Sequence, residues 1–190
     1  ADDTVSVINA STNAVTATVS VGDKPVGVAV SPDGATVYVT NLSNDNVSVI
    51  NASTNAVTAT VSVGDKPVGV AVSPDGATVY VTNLSNDNVS VINASTNAVT
   101  ATVPVGGRPW GVAVSPDGDT VYVANSADDT VSVINASTNA VTATVSVGDG
   151  PWGVAVSPDG DTVYVANSAD DTVSVINAST NAVTATVSVG

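Results

Sequence analysis

Seventeen aspartates with no glutamate, no histidine and no cysteine limit the chemistry open to this 190-residue chain. The adjacent pairs Asp2-Asp3, Asp128-Asp129 and Asp170-Asp171, set among Asn-rich loops, supply the oxygen donors that a hard cation such as calcium requires. Their spacing matches no cation loop, and turn formation with an acidic, soluble surface accounts for them. Acid and base work would need two carboxylates in one pocket with different environments. The aspartates instead fall in turns and recur by symmetry, which argues against a single active site. Without His or Cys there is no Ser/His or Cys/His nucleophile system and no imidazole or thiolate ligand. The residues therefore predict a non-catalytic protein with no cofactor and no metal.

Binding is the chemistry that remains. Trp110 and Trp152 occupy a position that is Val26 and Val68 in other copies of the same segment, close to Lys24, Lys66 and Arg108. An aromatic ring beside charged neighbours can stack on a sugar ring or anchor a partner protein. The competing reading is that both indoles fill space between packed sheets, because interiors are close-packed; that reading is preferred. Asn-x-Ser sequons recur at Asn9, Asn51, Asn93, Asn135 and Asn177, and further ones at Asn41, Asn46, Asn83 and Asn88. They are acceptor sites if the protein is exported, yet the same Asn residues serve as turn and strand-end formers.

All these residues ride on a repeat. The segment Val-Ser-Val-Ile-Asn-Ala-Ser-Thr-Asn-Ala-Val-Thr-Ala-Thr-Val starts at Val5, Val47, Val89, Val131 and Val173, a spacing of 42 residues. A period of that length marks an array whose units bury a core by stacking on their neighbours. Residues 23–64 and 65–106 differ only at Ser62 and Pro104, and 107–148 and 149–190 only at Gly107-Arg108 against Asp149-Gly150. Near-identity of this degree implies recent amplification or idealised design, and a function carried by repetition.

The 43% apolar content is mainly Val, Ala and Ile, with two Trp, four Tyr and no Phe or Met. β-branched residues favour strands. Each unit reads as four of them. In residues 23–64 they run from Pro25 to Ser31, Thr36 to Asn41, Asn46 to Asn51 and Ala56 to Val63, with Pro32-Asp33-Gly34 closing the first hairpin. Four antiparallel strands per unit make a propeller blade. The chain is thus expected to be an all-β propeller array, residues 1–190, with a half blade at 1–22 and full blades at 23–64, 65–106, 107–148 and 149–190. The turn order puts Ser-Pro-Asp-Gly and Ala-Ser-Thr-Asn on one rim, which looks uniform. The opposite rim gathers Lys24, Lys66, Arg108 and the Trp positions, and is the expected binding face.

Tyr38-Val39-Thr40-Asn41 and Tyr80-Val81-Thr82-Asn83, each after Ser-Pro-Asp-Gly and before Val-Ser-Val-Ile-Asn, resemble the YVTN-repeat β-propeller family. In the later blades the signature becomes Tyr122-Val123-Ala124-Asn125 and Tyr164-Val165-Ala166-Asn167. The resemblance implies archaeal and bacterial surface-layer or secreted proteins, commonly seven-bladed and seldom enzymes. It also implies strands running from innermost to outermost within a blade. Residues 1–22 are then an outer hairpin without its inner strands, expected to be frayed or paired with something, because an isolated hairpin is marginal in water.

A formal net charge of −14 repels phosphate backbones and anionic lipid, so nucleic acid is an unsuitable partner, and no apolar run reaches membrane-spanning length. The function expected is a structural or assembly scaffold, extracellular or at a cell surface, whose partner is itself. The unsatisfied ends allow an eight-bladed ring of two chains, an open polymer, or an excerpt of a larger propeller. The alternative is a module binding glycans or surface proteins through Trp110, Trp152, Lys24, Lys66 and Arg108.

Overall fold

A computed structural model describes residues 2–190. Eighteen strands form one two-stranded and four four-stranded antiparallel sheets. The hairpin pairs β1 (Thr4–Asn9) with β2 (Ala14–Ser20). The first full blade holds β3 (Pro25–Val30), β4 (Thr36–Asn41), β5 (Asn46–Asn51) and β6 (Ala56–Ser62) in that spatial order. The second has β7 (Pro67–Val72), β8 (Thr78–Asn83), β9 (Asn88–Asn93) and β10 (Ala98–Pro104). The third has β11 (Pro109–Val114), β12 (Thr120–Asn125), β13 (Thr130–Asn135) and β14 (Ala140–Ser146). The last has β15 (Pro151–Val156), β16 (Thr162–Asn167), β17 (Thr172–Asn177) and β18 (Ala182–Ser188).

Inner strands β3, β7, β11 and β15 lie successively side by side, as the innermost-to-outermost order requires. What lets them approach is Gly27, whose missing side chain faces the Val68 carbonyl of the next blade, repeated at Gly69 against Trp110 and Gly111 against Trp152. A Cβ at any of these sites would overlap that oxygen, so only glycine fits. Thr40 reinforces the junction: its Oγ1 donates to the Val68 carbonyl at 2.8 Å and accepts from Gly27 N at 2.8 Å.

Each core lies between blades rather than within one. One face of a blade presents Tyr38, Val47, Val49 and Val61, and these pack on Val79, Val81 and Ile92 of the following blade. The same cluster recurs around Tyr80 and Tyr122. Side chains of this size contribute roughly 1.5–3 kcal/mol each when fully buried, so interfaces, not isolated sheets, hold the array together.

The hairpin is ordered over residues 2–22. Val5, Val7, Val19 and Val21 present the same apolar face as β5 and β6 and cover Val37, Val39 and Ile50 of the first full blade. They stop short of β3, where Val26, Val28 and Val30 stay 49%, 61% and 55% exposed; at the same position as Val26, the interior Val68 is 1% exposed. The last blade is bare on its other face. Tyr164 is 45% exposed whereas Tyr38, Tyr80 and Tyr122 are each 3%, and Trp152, Val187 and Val189 are exposed beside it.

Candidate functional site

Hydrogen bonds between loops confirm which turns share a rim. Ala52 N donates to the Ala35 carbonyl, joining the β5–β6 turn to the Ser-Pro-Asp-Gly turn. On the opposite rim Leu42 N donates to the Lys24 carbonyl and Val63 N to the Asp45 carbonyl. Lys24, Lys66 and Arg108 stand there, one per blade, with exposed side chains and φ of 53°, 54° and 52°. Their backbones are held from the preceding blade: Asp3, Asp45 and Asp87 accept from Lys24 N, Lys66 N and Arg108 N at 2.9, 2.9 and 2.8 Å. Asp129 takes Gly150 N in the same way at 2.9 Å. The fold therefore places these three cations at the starts of successive inner strands, each held by its main chain.

It does bring the two indoles together. Trp110 and Trp152 stack across adjacent inner strands with centroids 4.6 Å apart and an interplanar angle of 12°. Trp110, which has a blade beyond it, is half-buried, whereas Trp152 is 52% exposed on the open face of the last blade. The difference between two equivalent residues comes from the absence of a neighbour, not from a cleft at the rim. The stack also follows a change in the junction: Thr82 Oγ1 donates to the Trp110 carbonyl at 2.7 Å, but Ala124 offers no hydroxyl to the next strand. Aromatic contact there replaces a hydrogen bond.

The paired aspartates are loop fasteners. Asp128 accepts from Gly107 N at 2.7 Å and Asp170 from Asp149 N at 2.8 Å, while Asp3, Asp129 and Asp171 occupy positive-φ positions. The sequons divide into two groups. Asn51 Oδ1 caps its turn by accepting from Ser53 N and Thr54 N at 3.1 and 2.9 Å, as Asn9 and Asn93 do, while Asn135 and Asn177 accept the Thr N–H and the Ser hydroxyl. Asn41 and Asn83 are fully buried and closed to modification, Asn41 donating to Asn46 and Ser48.

Two related clefts open between blades on the rim that looks uniform in sequence. One of about 400 Å³ opens between the first two full blades and is lined by Asp33, Tyr38, Asp75, Asn93 and Ser95. Another, of about 260 Å³, repeats it with Asp75, Tyr80, Asp117 and Ser137. Ser31 Oγ donates to Asp33, as does Ala35 N at 2.9 Å, and these bonds hold the Asp33 carboxyl below the ordinary carboxylate range. Burial, then the Asp33 charge, pushes the Tyr38 phenol up, so it keeps its proton. A single repeat contains only half of each cleft, so no reading of one unit reveals it.

A protein-family model described as YNCE-like beta-propeller matches residues 34–120 and 112–189. The chain belongs to the YNCE-like beta-propeller family. Among solved structures, this YNCE-like propeller resembles Kuenenia stuttgartiensis hydrazine synthase, with a TM-score of 0.83 and 32% identity over 88% of this chain and 50% of that one. It also resembles a functionally unknown protein from Desulfotomaculum acetoxidans DSM 771, with a TM-score of 0.81 and 22% identity over 91% of this chain and 59% of that one. The second likeness is one of fold. The YNCE-like propeller thus spans half to three-fifths of the length of these two structures. No curated protein matches it.

Proposed function

We propose that this YNCE-like propeller is a non-catalytic assembly scaffold whose blades recognise further blades of the same type, supplied by a second copy of the chain. The observation that carries the reading is the pair of uncovered blade faces. Tyr164, Trp152, Val187 and Val189 at one end, and Val26, Val28 and Val30 at the other, are apolar residues whose interior equivalents face a neighbouring blade, the following one at the first end and the preceding one at the second. Apolar surface of this kind favours association. The repeated junctions of Gly, Thr and Asp give that association a fixed geometry, since Gly153 and Asp171 present the same features as Gly111 and Asp129 without the partners those residues have. A closed ring of two copies, in which one chain's hairpin 1–22 completes or displaces outer strands of the other, is the arrangement proposed.

An extracellular or cell-surface setting belongs to the same proposal and is supported by the Tyr-Val-Thr-Asn motifs and their resemblance to surface-layer repeats. Near-identical blades support recent amplification or design of the array. The activity in the name of the hydrazine synthase belongs to that protein. This chain has no His and no Cys, and its aspartates repeat by symmetry.

A second reading keeps the exposed indole of Trp152 as a platform for a glycan ring or a surface protein, on the rim that also carries Arg108. It is the weaker one, because Trp152 is exposed only where a blade is lacking. Light scattering after size exclusion tests the scaffold. A mass of twice 18.4 kDa, lowered to a single chain by Tyr164→Lys, is the result expected, and a monomer at every concentration overturns it.

A further inference from the structure

The Ser-Pro-Asp-Gly rim carries features that blade-to-blade assembly leaves unused. Each inter-blade cleft has a carboxylate on both walls: Asp33 and Asp75 in the first, Asp75 and Asp117 in the second. In each of these aspartates Oδ1 is spent on the turn, taking the Ser hydroxyl and a backbone N–H, and Oδ2 has no partner among the described residues. Tyr38 and Tyr80, each only 3% exposed, line the clefts, and their hydroxyls hydrogen-bond to no described residue. Their rings are buried while the hydroxyls open into the clefts, where a ligand can reach them. The chain's three cations, Lys24, Lys66 and Arg108, all stand on the other rim.

A cavity lined by two carboxylates and a phenol, with no lysine or arginine in its lining, suits a ligand with several N–H donors and a positive charge. Among the described residues no three acidic side chains converge as a metal ion requires. An ammonium or guanidinium head needs less, since two carboxylates and a neutral acceptor satisfy its donors.

We propose that the inter-blade clefts of the Ser-Pro-Asp-Gly rim bind organic cations through an ammonium or guanidinium group, one per cleft, with Asp75 serving two adjacent clefts. The chemistry is shared by a free polyamine and by the basic side chains of a peptide. A peptide would place successive side chains in successive clefts and gain from the linkage. The site stands apart from the open blade faces, so it does not depend on self-assembly.

Calorimetric titration of the full chain with spermine and with tetralysine tests this, with magnesium at matched charge as reference. Saturable binding of either amine, in the presence of salt that abolishes the magnesium heat, is expected. Spermine alone binding identifies a free polyamine as the ligand class, and tetralysine alone a basic peptide. Asp75→Asn keeps the Oδ1 acceptor of its turn and should weaken binding about three- to tenfold, more than Asp33→Asn, which touches one cleft. Tyr80→Phe should weaken it while circular dichroism shows the fold retained. Asp149→Asn removes the same charge from the opposite rim and should change nothing. Equal weakening by Asp149→Asn and Asp75→Asn, or no saturable binding of either amine, overturns the proposal.

Discussion

The carboxylate of Asp45 reaches across a blade boundary to accept the backbone N–H of Lys66 at 2.9 Å. It does so from a backbone at φ 54°, a conformation that Asp tolerates better than most residues. The bond fixes where one blade ends and the next begins, and the same contact links Asp3 to Lys24, Asp87 to Arg108 and Asp129 to Gly150.

Asp45→Ala should therefore cost about 1–2 kcal/mol, the loss of a charge-assisted hydrogen bond plus the poorer fit of Ala at positive φ. Asp171→Ala shares the second effect but lacks the first, because Asp171 Oδ1 has no blade beyond it. Urea denaturation of the two variants should show the larger loss for Asp45→Ala. Equal losses would mean that the inter-blade bond contributes nothing.

Glycine at the inner strand gives a sharper contrast. Gly69→Ala drives a Cβ into the Trp110 carbonyl, and backbone cannot yield as a side-chain tip can. A loss of about 3 kcal/mol or more, or failure to fold, is expected. Gly153→Ala meets only the Ala166 Cβ at 3.8 Å and should leave the folding of the monomer unchanged. If the last blade docks on another copy, Gly153→Ala should instead lower the assembled mass seen by light scattering.

The two junction chemistries are exchangeable in principle. Ala124→Thr would present a hydroxyl to the Trp152 carbonyl as Thr82 does to Trp110, and should stabilise the chain by about 1 kcal/mol. Trp152→Val removes the stacked partner of Trp110 and should abolish the exciton signal of the indole pair in circular dichroism while the strand spectrum persists. A retained exciton signal would show that the rings do not stack in solution.

Acid should destabilise the chain through the Ser-Pro-Asp-Gly turns. Asp33, Asp75, Asp117 and Asp159 are lowered by their Ser hydroxyl first and the turn N–H second. Because the folded value lies below the unfolded one, their contribution is complete at neutral pH and fades as pH falls below the ordinary carboxylate value of 3.8. Ser73→Ala removes the main cause at Asp75, so the midpoint of acid unfolding should move to higher pH. A midpoint that stays in place, or falls, contradicts this.

Strand positions were legible because each is written locally. Pro-Asp-Gly ends the inner strand, alternation of Val with small residues sets the pleat, and Thr36–Asn41 and Asn46–Asn51 lie where the pattern places them. The fourth strand closes at Ser62, one residue before Val63, which turns towards Asp45 in the inter-blade link. Contacts between repeats were not legible. The approach of Gly27 to Val68, the bond from Lys66 to Asp45 and the clefts shared by Asp33 and Asp75 each join residues 41–42 or about 20 positions apart in different blades. Identical units give no covariation within the chain to reveal such pairs. The N-terminal hairpin showed the same limit: the order of residues 2–22 rests on Val5, Val7, Val19 and Val21 meeting a neighbouring sheet, which a hairpin considered alone lacks.

All seven residues of β18 lie exposed, although the strand is fully paired to β17. Every other outer strand buries one valine against the next blade: Val19, Val61, Val103 and Val145. In a one-dimensional array the loosest unit sets where opening starts, and here that is the C-terminal hairpin. Amide exchange should run inward from Ala182–Ser188 like a zipper, slowing at each boundary crossed. Sealing that edge with one further blade would protect units that the added blade never touches.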